Sequence, residues 1–344
     1  MKILHLCVQE KFTPPLIEFV RENFVDDEHM FMTFGDHENF PYEAGKDTMH
    51  VGSQLKQILS IIRELNSADK IIVHSFARHF IIFFLQPWLL GRAYWVIWGG
   101  DLYNNISPSG GLKSLLKWRF FRCIIKGFGG IVCFVKGDYE LAVKTFGTKA
   151  PFIECVLYGG NVDFFDLEPK EDLGSTKTIL LGNSASMSNE HEYALDKLAP
   201  FKNENIRIIC PLSYHDDGGA GYLDSVIQKG STIFGDKFVP IMDYMPLNDY
   251  LEILSTVDIC VFGHKRQQGL GNAITVLGSG KKVFMRNDIT SWDFFSDLGV
   301  EVYDVESFSL DPMDPVIAKN NAILIREYFS KENALKQMNN LYKY

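Results

Sequence analysis

The sequence predicts an α/β protein built from two Rossmann-like domains, each a parallel sheet covered by helices, facing one another across a cleft. Three observations predict it. Apolar, strand-sized runs alternate with helix-sized intervals through both halves of the chain, as in parallel sheets buried on both faces. An acid-rich stretch from Asp163 to Lys177, with Pro169 and Gly174, interrupts that alternation near mid-chain and reads as a linker. The 344 residues, 46% apolar and 13% aromatic, suffice for two packed cores.

In the first half the expected strands are Ile3 to Val8, Met30 to Phe34, Lys70 to His74, Tyr94 to Trp98 and Gly130 to Phe134. The longest apolar stretch, Phe80 to Trp98, is broken by Gln86, Pro87, Gly91 and Arg92, so it predicts a helix and then a strand rather than a membrane span. In the second half the strands are Thr178 to Leu181, Ile206 to Cys210, Val239 to Met242, Asp258 to Phe262 and Lys282 to Met285. The polar tail after Pro315 reads as one or two helices. The expected division is an N-terminal domain over 1 to 165, a C-terminal domain over 175 to 320 and a helical tail over 321 to 344.

Composition narrows the function. A net charge of −9 argues against general nucleic-acid binding, which needs an extended positive surface. Six cysteines stand singly, several in apolar runs and without C-x-x-C spacing, so buried free thiols are expected rather than zinc or redox chemistry. The apolar run at Met1 to Val8 is too short for a signal peptide and passes into Gln9-Glu10-Lys11, which predicts the first strand of a cytoplasmic domain.

The most informative segment is 177 to 193. A strand ends at Leu181, a turn follows at Gly182-Asn183-Ser184, and a helix is expected to open near Ser188. Such a junction aims unpaired N–H groups and a positive helix end at one point, a phosphate seat. The same composition occurs in α/β domains that bind nothing there. A second Gly-rich helix entrance, Arg266-Gln267-Gln268-Gly269-Leu270-Gly271-Asn272, follows the run to Phe262, and two entrances can hold the two ends of a diphosphate. After another strand, Pro211-Leu212-Ser213-Tyr214 offers a ring that either stacks on a nucleobase or is an ordinary loop tyrosine.

In the first half Trp98-Gly99-Gly100-Asp101-Leu102-Tyr103 stands at a strand's carboxyl end, where open α/β sheets bind ligands. Asp101 is either a general base or the cap of a turn, with Trp98 and Tyr103 as sugar-stacking walls. His74 ends the preceding strand and either faces the same cleft or is a core-edge histidine bonded to backbone. From Leu112 to Lys136 the chain carries Lys113, Lys117, Arg119, Arg122, Lys126 and Lys136, no acid, and interleaved apolar residues including Trp118. That predicts a basic, aromatic-bearing helix, resting on an anionic bilayer or simply covering the sheet.

At these residues the chain resembles the 4-α-L-fucosyltransferases of glycosyltransferase family 56, which transfer N-acetylfucosamine from a TDP-sugar to lipid II in enterobacterial common antigen synthesis. The resemblance rests on Trp98-Gly99-Gly100-Asp101-Leu102-Tyr103, Gly182-Asn183-Ser184, Ser188-Asn189-Glu190-His191, Pro211 with Tyr214, and Arg266-Gln267-Gln268-Gly269 with Gly271, in order along most of the chain. It implies a GT-B fold, inversion at the anomeric carbon, a TDP-sugar donor in the C-terminal domain, and a polyprenyl-diphosphate glycan acceptor at the cytoplasmic face of the bacterial inner membrane. The chain departs from the family pattern at Gly100, where alanine is usual, at Ala185-Ser186, at Asn272 and in a shorter C-terminus. The implied reaction class stands; the sugar is left open.

The expected protein is therefore a metal-independent, cofactor-free, peripheral membrane glycosyltransferase. Asp101 is the leading base, His74 the second, and Glu190, at a helix start, suits either capping or sugar contact. Gly182, Asn183, Ser184, Asn189, Glu190, His191, Pro211, Tyr214, Arg266, Gln267, Gln268, Gly269, Gly271 and Asn272 form the donor side. Trp98, Tyr103, Lys117, Trp118, Arg119 and Arg122 form the acceptor and membrane side. No Asp-x-Asp clamp occurs, and no glutamate lies between Ile253 and Val300 to supply the paired glutamates of many retaining enzymes. A nucleotide-sugar epimerase of the same architecture and a non-catalytic nucleotide-sugar or lipid-glycan binding protein are the alternatives.

Overall fold

The computed structural model describes residues 1–35, 37–52, 57–76, 80–108, 110–157, 176–213, 219–243 and 245–344. The expected linker and Tyr214 lie outside the described residues, the former but for its last two positions. The chain divides into two compact units, Met1–Val162 with Lys331–Tyr344, and Asp163–Ser330.

Unit 1 runs β1 (Lys2–Gln9), α1 (Thr13–Asn23), β2 (Glu28–Gly35), β3 (Thr48–Val51), α2 (Ile58–Ser67), β4 (Lys70–His74), α3 (Phe80–Leu85), β5 (Ala93–Val96), α4 (Gly100–Tyr103), α5 (Gly111–Gly127), β6 (Gly130–Cys133), α6 (Lys136–Phe146) and β7 (Phe152–Glu154). Unit 2 continues with β8 (Lys177–Leu181), α7 (His191–Leu198), β9 (Ile206–Pro211), α8 (Gly219–Phe234), β10 (Phe238–Ile241), α9 (Leu247–Ser255), β11 (Ile259–Phe262), α10 (Leu270–Gly278), β12 (Lys282–Met285), α11 (Thr290–Asp297), β13 (Tyr303–Asp304) and α12 (Pro315–Tyr328). The last helix, α13 (Lys331–Lys343), returns to unit 1.

Both sheets are parallel, with strand orders β3-β2-β1-β4-β5-β6-β7 and β10-β9-β8-β11-β12-β13. The growth direction reverses between β1 and β4 in unit 1 and between β8 and β11 in unit 2, and a ligand crevice is expected outside the carboxyl ends of the strands at such a reversal. Two apolar layers flank the first sheet. One packs Leu65 of α2, Phe83 of α3 and Phe121, Ile124 and Ile125 of α5 on Leu4, Leu6, Val73 and Trp95; the other packs Leu16, Ile17 and Val20 of α1 with Met338, Leu341 and Tyr342 of α13.

The capture of α13 has a polar component. Lys70, 5% exposed, donates from Nζ to the carbonyls of Leu341 at 2.6 Å and Tyr342 at 3.0 Å, placing a cation on the negative end of the helix. Gln337 accepts from the Val156 N–H at 2.8 Å. α12 begins as the tail pattern suggests, with Asp314 capping the Val316 N–H at 2.7 Å and proline in the first turn.

Some expectations shift. The basic stretch 112 to 136 is not one helix: α5 ends at Gly127, β6 follows, and Lys136 opens α6. α7 opens at His191, not Ser188, because Ser186 caps only a single 3-10 turn, Met187–Asn189, and Glu190 then adopts a left-handed φ of 51°. Five cysteines are buried as free thiols, whereas Cys123 lies exposed on α5.

Candidate functional site

The loops after β8 and β11 lie side by side at the reversal in unit 2. Gly182, with φ 69°, turns the chain away from β8 while its N–H still donates to Val261 at 3.0 Å. An added Cβ there would stand 2.5 Å from Nε2 of His191, so only glycine fits. Gly269, with φ 67°, occupies the cap position of α10 and contributes no side-chain cap. The opening N–H groups of α10 thus meet no capping side chain and carry the positive end of the helix dipole.

Between the loops stands Asn189, 1% exposed. Its Oδ1 accepts from the Asn183 N–H at 2.9 Å and faces His264 Nε2 at 2.8 Å; its Nδ2 donates to Ser184 Oγ at 3.0 Å and the Ser186 carbonyl at 3.1 Å. Gln268 closes the ring: it accepts from Ser188 Oγ at 2.5 Å and donates to Asn183 Oδ1 at 3.1 Å. Ser184 and His191 are buried beneath this network, and Arg266, Gln267 and Gly271 are part-exposed on its rim. A Cβ at Gly271 meets nothing within 4 Å. Asn272 donates to Tyr250 Oη at 2.7 Å, and Pro211 is the last residue of β9.

His264 escaped the sequence reading. Its Nδ1 lies 3.1 Å from the Gln268 carbonyl, so both ring nitrogens face acceptors, and a neutral imidazole can donate to only one. Burial drives its pKa down to about 3, helped by His191 and Arg266. Burial likewise lowers His191 to about 4; its Nδ1 pairs with Tyr222 Oη at 2.8 Å and its Nε2 is buried without a partner. The only hint in the sequence is position, since His264 follows a strand end and a glycine. Glu190 heads α7 without capping it; its carboxylate pairs with Lys265 at 3.0 Å.

In unit 1 Asp101 is 3% exposed. Its Oδ2 accepts from the Phe76 N–H at 3.1 Å and Trp95 Nε1 at 2.7 Å, and its Oδ1 from the N–H groups of Trp98 at 3.0 Å and Leu102 at 3.2 Å. Four donors occupy what a carboxylate offers. Burial still raises the pKa, because desolvation outweighs those bonds. The carboxylate ties the loop after β4 to the turn after β5, where Gly99 takes φ 90°. A Cβ at Gly100 would come no closer than 4.0 Å to any neighbour, so the alanine usual in the family would fit.

His74 is fully buried, with Nε2 3.1 Å from Nδ1 of His5, whose Nε2 lies 3.1 Å from Nδ1 of His29. Ser75 beside it holds φ 61°, a strained value at a strand end. Tyr103 donates to Asp138 at 2.6 Å, and Trp98 meets Phe12 edge to face at 6.1 Å. On α5, Trp118 donates to the Asn105 carbonyl at 2.8 Å and Arg122 to the Phe146 carbonyl at 2.9 Å, so both are tied to the body of the unit, while Lys117 and Arg119 are exposed.

Among the described residues no group of three His, Cys, Asp or Glu is placed to hold a metal ion. A cavity of about 300 Å³ lies elsewhere in unit 2, lined in part by Ser255, Gly278, Ser279, Lys281 and Arg326. It adjoins the carboxyl ends of α9 and α10, where Lys281 donates to the Ser255 carbonyl at 2.8 Å and Arg326 to the Gly278 carbonyl at 2.8 Å.

A family model described as 4-alpha-L-fucosyltransferase, glycosyl transferase group 56, matches residues 50–302. Similar solved structures include a glycosyltransferase from Rickettsia africae, 13% identical with a TM-score of 0.69 over 99% of this chain and 97% of that one. Sucrose-phosphate synthase from Thermosynechococcus elongatus is 12% identical, with a TM-score of 0.70 over 100% and 98%. HepE from Anabaena, in complex with UDP and glucose, is 13% identical, with a TM-score of 0.69 over 100% and 99%. The fold is GT-B, and the chain belongs to the group 56 family and is a glycosyltransferase.

Proposed function

We propose that this member of the group 56 glycosyltransferases moves a 4-acetamido-4,6-dideoxyhexose of the N-acetylfucosamine type from a TDP-sugar to a polyprenyl-diphosphate-linked glycan, with inversion, in bacterial surface polysaccharide synthesis of the enterobacterial common antigen kind. The observation that carries the donor half is the uncapped start of α10 beside the Gly182-Asn183-Ser184 turn, at the reversal between β8 and β11. As the glycosidic bond breaks, charge gathers on the diphosphate. Fixed N–H dipoles, with Arg266 on the rim, would meet that charge without reorganising. Asn189 and Gln268 act as positioning residues, because their amides are already spent on holding the two loops together.

The acceptor half rests on the loops after β4 and β5 of unit 1. With its carboxylate occupied, Asp101 is best read as the clamp that shapes the Trp98 to Tyr103 turn. The base then falls to His74. Its Nε2 lies 3.1 Å from His5 Nδ1, and with Nε2–H donating, His5 can accept the strengthened bond as an imidazolium forms. The acceptor's lipid would hold the enzyme at the cytoplasmic face of the inner membrane as a peripheral protein; among the described residues no helix is long and apolar enough to cross a membrane.

Incubation with TDP- and UDP-sugars, with and without a detergent-solubilised polyprenyl-diphosphate glycan, tests this reading. Sugar transfer from the TDP donor supports it. Donor conversion without acceptor would make the chain an epimerase, and binding without turnover would make it a carrier.

A further inference from the structure

We propose that the outer faces of α2, α3 and α5, with the turn at Trp88, form an insertion surface for an anionic lipid bilayer. The proposal rests on the lipid-linked acceptor proposed above and extends it to residues that composition did not single out. More than half of the exposed large apolar side chains among the described residues fall between 58 and 120. Leu59 is 79% exposed, Leu85 66%, Trp88 64% and Leu112 72%. These segments are one layer: α2, α3 and α5 all bury their inner sides on the same sheet face, and Phe84 of α3 meets Phe120 of α5 edge to face at 5.2 Å.

Charge selects the partner. In a chain of net charge −9, residues 57 to 127 hold nine lysines and arginines against three acids, and of the nine Lys70 is buried and turned inward, to the carbonyls of α13. None of the three acids is free: Glu64 pairs with Lys2 at 2.7 Å, Asp69 accepts from the Lys2 N–H at 2.8 Å, and Asp101 is buried. On α5 the helical period lines up Leu112, Leu116, Phe120 and Cys123 as one exposed stripe. Lys113 and Lys117 flank it on one side, Arg119 and Lys126 on the other, all exposed. An apolar stripe between two cationic rims suits acyl chains bordered by anionic headgroups. A protein interface of ordinary composition is depleted of lysine, which this one is not.

The exposed thiol gives a direct readout, since the other five cysteines are buried. The full chain, labelled at Cys123 with an environment-sensitive fluorophore, is mixed with vesicles of phosphatidylethanolamine and phosphatidylglycerol, or of phosphatidylcholine alone. The expected result is an emission rise and blue shift with the anionic vesicles only. Ile81→Ser, Leu85→Ser and Leu112→Ser together should weaken vesicle partitioning at least about tenfold, leaving the melting temperature and transfer to a detergent-solubilised acceptor unchanged. An insensitive label, or undiminished partitioning of the triple variant, overturns the proposal. So does a lipid-free dimer that the triple variant converts to monomer, because the face would then be a subunit contact. Absence of transfer by the wild type in detergent defeats the proposed reaction instead and leaves the vesicle result standing.

Discussion

Replacing Asn189 with alanine removes the side chain on which the loops after β8 and β11 converge. Its amide serves the Asn183 N–H, His264 Nε2, Ser184 Oγ and the Ser186 carbonyl, and it is 1% exposed, so water has little access to replace it. A buried polar group left unsatisfied costs about 1–3 kcal/mol. The Asn183 N–H and His264 Nε2 lose their partner, while the Ser186 carbonyl keeps the Asn189 N–H at 3.0 Å, which gives a loss of about 2–5 kcal/mol from unit 2. For a domain of this size each kcal/mol moves the midpoint by about 2–4 °C. Differential scanning calorimetry should therefore show a transition lowered by about 5–15 °C. Isothermal titration should show TDP bound at least about tenfold more weakly, because binding must then order loops that are pre-ordered in the parent. Asn189→Asp keeps the Oδ1 acceptor but buries a charge and sets its second oxygen against the Ser186 carbonyl, so it should lower the transition at least as far as alanine does. An alanine variant with unchanged melting and unchanged TDP affinity would refute the idea that this network builds the seat.

Three further predictions follow from the same geometry. Asp101→Asn puts an amide donor among four N–H donors, so it should lower the melting temperature as well as turnover; His74→Gln should lower kcat by roughly two to four orders of magnitude with nucleotide affinity unchanged. Full stability of Asp101→Asn with turnover alone lost would return the base to Asp101. Gly269→Val forces a side chain into φ 67° with its Cβ 2.8 Å from His264 Cε1, and should weaken TDP binding more than Gln268→Ala, as read by titration. Near-parental affinity would place the diphosphate elsewhere. The histidines set a pH dependence: with folded pKa values of about 3 for His264 and about 4 for His191, both below the unfolded value, the folded state refuses protons that the unfolded chain accepts. Their contribution is complete above about pH 6.5 and is lost as pH falls, down to about 4 for His191 and about 3 for His264, at up to about 1.4 kcal/mol per pH unit for each ring. Thermal midpoints at pH 7.5, 6 and 5 should fall in that order, with a shallower slope in His191→Leu; a flat profile contradicts the burial argument.

The buried strands were legible because they are continuous apolar runs: β1, β4, β8 and β11 all fall where the sequence places them, within a residue or two. β3, β7 and β13 were not, since strands of two to four residues at or near a sheet edge, partly exposed, leave no run to see. The glycines of the turns after β8 and β11 announced themselves through strand ends. Asn189 and Gln268 stood out through their motifs but not as ties between loops, and His264 did not stand out at all, because these roles lie in side-chain pairings across the loops after β8 and β11. The same limit applies to α5. Composition marked it as basic and aromatic, but only the packing shows Trp118 and Arg122 tied inward and Leu112, Leu116 and Phe120 facing out.

The central claim is a diphosphate seat at the start of α10 that works without a metal. Hydrogen exchange with mass analysis, run in EDTA with and without saturating TDP, tests it most directly. Peptides covering 182 to 190 and 263 to 273 should gain protection, and those covering 315 to 326, beside the cavity at the other helix ends, should not. Protection that appears only when Mg²⁺ or Mn²⁺ is restored, or that falls on 315 to 326 instead, would contradict the claim.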